Sequence, residues 1–324
     1  MIKNKYYLLL FFLILPFSLN LFFLYFNELP YQSDLAAVYY HYSEYTYANV
    51  FEYKYRPPIM DLYMVTYTNI FGNTPFAVGI ANSLFWIPLT YGIIRIANNF
   101  NLNILLLIIL LLSIFLNPIY LVNSRVTYEK FAATSLVILC ISYLVDKNFF
   151  LSKTIQNKFL ILMTICFLFR TNLIIQISLF GFLFIFFNYK KIFDKIFIIN
   201  FSKRISLFLI PVFIWYIYAF DGMFFIGNEG QGYYWQNHLP LDFNNLIIHI
   251  NNYILVLRKI QGLTSWDNYQ IYLLIINFIL SISSILLGLL YFKFDFKPII
   301  FLIFSLIYFI LYLMEKIDHP SIHI

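Results

Sequence analysis

Charge is what this sequence has least of. Only 11% of its 324 residues are Asp, Glu, Lys or Arg, while 62% are hydrophobic and 22% aromatic. Soluble domains carry about 25% charged residues, so this chain is too apolar to be a soluble fold. Cysteine is nearly absent, and Cys140 and Cys166 both fall in apolar stretches, where they read as packing residues that say nothing about redox compartment. His238 and His249 stand alone, without metal-ligand spacing. The net charge of +6 would suit nucleic acid, but the basic residues form no aromatic-interleaved patch and lie in short loops between apolar segments. Internal repeats and a separable soluble region are also missing.

What is present is a series of continuous apolar runs. An alternating pattern would suit a membrane barrel; continuous runs suit helices, which close their own backbone hydrogen bonds in lipid. The expected fold class is therefore all-α, a polytopic transmembrane helical bundle forming a single integral membrane domain over residues 1–324. Crossing ~30 Å of hydrocarbon takes about 20 residues. The spans read as 6–26, 75–97, 102–121, 127–145, 158–169, 173–188, 205–220, 268–291 and 298–314, nine in all. The first begins beside Lys3 and Lys5 but is too long for a signal peptide and ends in Tyr25-Phe26-Asn27-Glu28, without a small-residue cleavage pattern, so a retained helix with a cytoplasmic N-terminus is expected.

Two short spans meet at Arg170-Thr171-Asn172, and the alternative is one long helix from 158 to 188. Orientation decides between them. With a hairpin at Arg170, thirteen of the 21 basic residues fall on the cytoplasmic side, among them Arg95, Lys147, Lys153, Lys158, Lys190, Lys191, Lys195, Lys203 and Arg204. A single helix would move the cluster from Lys190 to Arg204 outside and break the positive-inside bias. Acids sort the other way: Asp146, Asp194 and Asp295 are inside, and the remaining twelve of the 15 are outside. Polar surface thus concentrates on the outer face, mostly in loops 27–74 and 221–267, where chemistry is expected.

Loop 27–74 is patterned. Leu35, Val38, Tyr39, Tyr42 and Tyr45 recur at spacings of three and four, which suggests a helix from Asp34 to Tyr47 lying along the interface. Asp34 is either its N-cap or a reacting carboxylate. Pro57-Pro58 breaks any helix locally and pushes Arg56 into an extended conformation. A second interfacial helix, Ile59 to Phe71, then stops at Gly72. Arg56 is placed where the two segments meet, with Lys54 close by; its guanidinium either binds a phosphate or snorkels to lipid headgroups.

An acid soon after the first span, a basic residue followed by Pro-Pro and an aliphatic, and a Phe-Gly before the second span together resemble the multi-spanning glycosyltransferases of the GT-C fold, the group of protein O-mannosyltransferases and lipid A aminoarabinose transferases. The resemblance covers about residues 6–190. It implies a polyprenyl-phosphate sugar donor, a catalytic acid at Asp34, a donor phosphate contact at Arg56 and a further basic residue at Arg170; Lys54, close to Arg56 in sequence, is a candidate to assist. It also implies a substrate or metal role for Glu129, in the outer loop Asn123-Ser124-Arg125-Val126-Thr127-Tyr128-Glu129-Lys130. The plain alternative for Glu129 is an acid stabilised in the first turn of a helix. Asp34 and Glu129 would be the ligands of a divalent cation, the one cofactor considered. The chain departs from the family at Asp34-Leu35, where many relatives have a second acid, and at Ala81-Asn82-Ser83, where many have an arginine.

Loop 221–267 contains Gly232-Tyr233-Tyr234-Trp235 and His238. Aromatic faces and planar polar groups of this kind bind sugars, so Tyr233, Tyr234, Trp235 and His238 are candidate sugar or acceptor contacts, although interfacial Tyr and Trp also serve as membrane anchors. No glycine-rich phosphate loop is present, which argues against a nucleotide-sugar or ATP donor on the cytoplasmic side.

The expected activity is therefore inverting transfer of a sugar from a polyprenyl-phosphate carrier to a lipid, glycan or protein acceptor on the outer face of a bacterial-type inner membrane, contributing to cell-envelope glycan. The rivals are a lipid-linked polysaccharide polymerase or ligase, which would depend on arginines in large outer loops, and a transporter or flippase, which would need ionisable groups inside the spans. Reporter fusions at Asn188 and Lys293 should report cytoplasm, and one at Gly230 the outside; an outside signal at Asn188 would make residues 158–188 one helix.

Overall fold

The computed structural model describes residues 57–72, 74–115, 129–170, 172–188 and 195–219, together with short stretches between 11 and 51 and single positions at 124, 192 and 279. The described residues are all helical, with no strand. Eight helices are named here: α1 Ile59–Phe71, α2 Pro75–Ser83, α3 Trp86–Asn99, α4 Ile104–Phe115, α5 Glu129–Leu144, α6 Lys153–Phe169, α7 Asn172–Phe187 and α8 Lys195–Ala219. The remaining parts of the expected nine-span arrangement, including 268–291 and 298–314, lie outside the described residues.

Helix α1 follows the sequence expectation closely. Pro58, which has no N–H to satisfy, caps its start in a helical conformation (φ −82°, ψ −15°), and its carbonyl accepts from the Leu62 amide at 2.9 Å. Gly72 ends it at φ 86°, where its N–H donates to the Thr68 carbonyl at 2.9 Å. Met60, Asp61, Met64, Val65 and Thr68 form the buried face, while Ile70 and Phe71 stay exposed.

The expected span 75–97 differs in detail. Thr74 caps α2 by accepting from the Ala77 amide at 3.1 Å, Pro75 follows at the first helical position, and a turn at Leu84-Phe85 separates α2 from α3. Even so, residues Phe76–Asn99 extend over 24 residues and are long and apolar enough to cross a membrane, as are the 25 residues of Lys195–Ala219. At 1.5 Å per residue these runs measure about 36 and 37 Å. Two further expectations are corrected. The span expected at 158–169 starts at Lys153, because Ser152 caps it through the Ile155 amide. The span expected at 205–220 starts at Lys195, since Lys203 and Arg204 lie within the helix rather than before it. Their long stems let charged heads reach polar surroundings from helical positions.

Side-chain contacts fix the directions of the helices. Trp86 packs on Phe115 and Phe131, with ring centroids 5.2 and 4.7 Å away, which joins the start of α3, the end of α4 and the start of α5. Phe85 packs on Phe169 at 5.8 Å and brings the end of α6 to the same place. At the opposite end Phe149 meets Phe159, Phe184 and Phe201 at 5.7, 5.2 and 5.7 Å. The start of α6, the end of α7 and the start of α8 therefore adjoin, and α6 and α7 form a hairpin that reverses at Arg170. Helix α8 runs alongside α6: the Thr164 hydroxyl lies 2.8 Å from the Phe208 carbonyl and 2.9 Å from its own Leu160 carbonyl, one turn before Pro211 interrupts the α8 ladder.

Helices α3 and α5 pass close to one another at Gly92. A Cβ there would stand 2.9 Å from the Leu139 backbone nitrogen and 3.0 Å from its Cα. Backbone cannot move aside as a side-chain tip can, so Gly92→Ala should lower unfolding stability in detergent by about 1–3 kcal/mol. Gly181→Ala, where nothing lies within 4 Å, should be neutral or slightly stabilising in the same measurement.

Candidate active site

The two ends of the bundle differ in charge. Arg95, Lys147, Lys153, Lys158, Lys195, Lys203 and Arg204 all belong to the end marked by Phe149, whereas Arg170 sits at the other. At the cationic end the partners are local. Arg95 bonds Asp146 at 2.6 Å and covers the Tyr143 ring at 3.9 Å, Lys147 donates to Asn101 at 2.9 Å, and Arg204 donates to Gln156 and Asn157. This is a clamp that ties α3, α5, α6 and α8 together.

The Arg170 end is built differently. Arg170 is half-buried and breaks the helix with an extended backbone (φ −158°, ψ 133°); its N–H donates to the Cys166 carbonyl, and its own carbonyl accepts from Leu173. The described part of loop 27–74 docks here. Phe51 packs against Trp215 at 6.4 Å, the Phe51 carbonyl accepts from the Tyr218 hydroxyl at 3.1 Å, Val50 is fully buried, and the exposed Tyr47 hydroxyl donates to Thr66 of α1 at 3.3 Å. The loop preceding α5 is fastened to the same region, where the buried Ser83 hydroxyl donates to the Ser124 carbonyl at 3.0 Å. The chain thus gathers the described part of loop 27–74, Ser124 and the α6–α7 turn at one end, together with Tyr63, Phe85, Phe169, Trp215 and Tyr218.

Of the residues singled out in sequence, Arg170 is described in full and lies at this end. Glu129 opens α5, so its backbone is at this end too, although its side chain lies outside the described residues. Asp34, Lys54, Arg56, Tyr233, Tyr234, Trp235 and His238 lie outside the described residues, as does the pair of carboxylates considered for a divalent cation. The helix expected from Asp34 to Tyr47 lies outside them except for Thr46 and Tyr47.

Sequence reasoning passed over Asp61. It is fully buried in the first turn of α1, in line with Met64, Val65 and Thr68. The available signal was an acid on the apolar stripe of a short helix; a first-turn acid is also favoured by the helix dipole, which made it look ordinary. Beside it, burial pushes the Tyr63 phenol well above its usual pKa, so it stays a donor, to the Ala81 carbonyl at 2.6 Å. Burial also raises Tyr67.

No protein-family model, curated protein or solved structure matches this chain.

The Tyr63 bond crosses from α1 to the last turn of α2 and locks the loop-27–74 helix onto the bundle. Tyr63→Phe keeps the ring packing on Phe85, at 5.2 Å, and deletes only the donor. A loss of about 1 kcal/mol in thermal or denaturant unfolding is expected; an unchanged midpoint would show that this bond does not fasten α1.

Proposed function

We propose that this chain is an integral membrane glycosyltransferase of GT-C type, moving a sugar from a polyprenyl-phosphate carrier to a lipid, glycan or protein acceptor at the Arg170 end of the bundle, with the cationic end and the N-terminus on the cytoplasmic side of a bacterial-type inner membrane. The observation that carries the reading is the convergence at one end of the first outer loop, the start of α5 at Glu129 and the half-buried Arg170, with the remaining described cationic side chains at the other. An excess of positive charge at one end among the described side chains suits the cytoplasmic leaflet, and two helices of sufficient length and apolarity suit the membrane.

In the reaction, the acceptor hydroxyl attacks the anomeric carbon of the donor sugar. The carbon–oxygen bond to the carrier phosphate breaks, and that oxygen keeps the electron pair. Asp34 takes the hydroxyl proton as general base. Arg56 offsets the charge that grows on the departing phosphate, with Lys54 or Arg170 assisting; preorganised contacts of this kind are commonly the largest catalytic contribution. Tyr233, Tyr234, Trp235 and His238 supply faces and polar groups for sugar or acceptor. Asp34 with Glu129 is the donor set for a divalent cation, if one takes part.

Transfer from defined polyprenyl-phosphate sugars to membrane extract tests the assignment. Asp34→Asn should abolish transfer while yield and monodispersity in detergent stay at wild-type levels, because capping alone is worth about 1 kcal/mol. Arg56→Ala should lose donor binding and transfer together, and Arg56→Lys should recover only part, since a point charge lacks the bidentate fork. Normal turnover in Asp34→Asn would remove the catalytic role, and donor affinity unchanged in Arg56→Ala would remove the phosphate role.

A further inference from the structure

Helix α8 packs on the core with one face, through the half-buried Phe197, Phe201, Ile205, Phe208 and Leu209. Its buried residues, Val212, Trp215, Tyr216 and Ala219, are confined to its last two turns. A second face runs its whole length: Lys195, Ile199, Lys203 and Leu207 follow at intervals of four, then Ile210 and Ile214 at three and four, and all are exposed. Residues at these spacings share one side of a helix. From Ile199 to Ile214 the stripe is about 22 Å long, more than the ~15 Å of hydrocarbon in one leaflet.

Lys203 lies within this apolar stripe, one turn below Ile199 and one above Leu207. An ammonium group is costly in hydrocarbon, so its four-carbon stem must carry it toward the cationic end. There, the one carboxylate among the described residues is already partnered. Asp146 is engaged by Arg95, and Arg204 turns to the neutral side chains of Gln156 and Asn157. Among the described residues, no carboxylate lies within ion-pairing distance of Lys195 or Lys203.

We propose that Lys195 and Lys203, with the α8 stripe beneath them, form a binding site for an anionic phospholipid. The two ammonium groups hold the headgroup phosphate, and an acyl chain lies along Leu207, Ile210 and Ile214. Charge selects an anionic headgroup over a zwitterionic one, and the stripe selects a lipid over a free phosphate ion. The proposal rests on the membrane placement given above and is independent of the sugar-transfer chemistry.

The test uses the full chain purified from carbonate-washed membranes in a neutral detergent, titrated separately with phosphatidylglycerol, phosphatidylcholine and inorganic phosphate while thermal unfolding and native mass spectra are recorded. Phosphatidylglycerol should raise the midpoint and appear as a retained adduct, with the other two additions giving neither. K203Q and K195Q should each weaken phosphatidylglycerol binding about fivefold, and the double variant should retain the wild-type midpoint in phosphatidylcholine. Equal responses to the two lipids, equal phosphatidylglycerol affinity in wild type and the double variant, or a matching shift with inorganic phosphate would each overturn the proposal. Recovery of the chain in the carbonate-soluble fraction would overturn the membrane placement as well, whereas loss of transfer activity would bear only on the catalytic reading.

Discussion

The close passage of α3 over α5 at Gly92 is the constraint from which the rest of the bundle follows. Because a Cβ at residue 92 would stand only 2.9 Å from the Leu139 backbone nitrogen, the two helices lie nearer than ordinary side chains permit. That separation lets both ends of the pair close at once: Trp86 reaches Phe131 at one end, and Arg95 reaches Asp146 at the other. Helices α4 and α6 then pack against a pair that is already fixed, and α8 lines up on α6. Specificity at this crossing comes from the missing side chain, since an apolar surface alone would allow many crossings in an apolar surround.

Polarity is the second organising feature. One end is closed by charged and amide groups that satisfy each other across four helices; the other is made of aromatic rings, a broken helix and returning loops. A clamp of the first kind resists opening, because separating Arg95 from Asp146 would leave two half-buried charges poorly solvated. The second kind is held by ring packing and by hydrogen bonds to backbone carbonyls. The asymmetry agrees with chemistry at the Arg170 end and anchorage at the other.

Sequence disclosed those features that rest on local rules. Pro58 and Gly72 marked the limits of α1 because each residue type has one natural place at a helix terminus, and the hairpin at Arg170 followed from the sign of the charges beyond it. The turn at Leu84-Phe85 was passed over although Pro88 marks it: a proline fits the first turn of α3, where the amides have no partner within the helix. The early start of α8 was hidden because Lys203 and Arg204 resemble a boundary when read in sequence, whereas on a helix one goes to the exposed stripe and the other to Gln156. Asp61 could not be recognised as a core carboxylate until the face of α1 that turns inward was known. Hydrophobic patterning gives a stripe, and only tertiary packing says what the stripe meets.

The hydroxyl of Thr164 has a consequence for how α8 is held. It carries one proton and lies between two carbonyls, its own helix's Leu160 and the neighbour's Phe208. The second of these belongs to the stretch of α8 where Pro211 withholds an amide from the ladder. The hydroxyl fastens α8 to α6 on the Arg204 side of the proline. Beyond Pro211, the Tyr216 hydroxyl donates to the Phe167 carbonyl at 3.3 Å and the Tyr218 hydroxyl to the Phe51 carbonyl at 3.1 Å. The gap that proline leaves in the α8 ladder is thus splinted from outside, by neighbours that grip the helix on both sides of it.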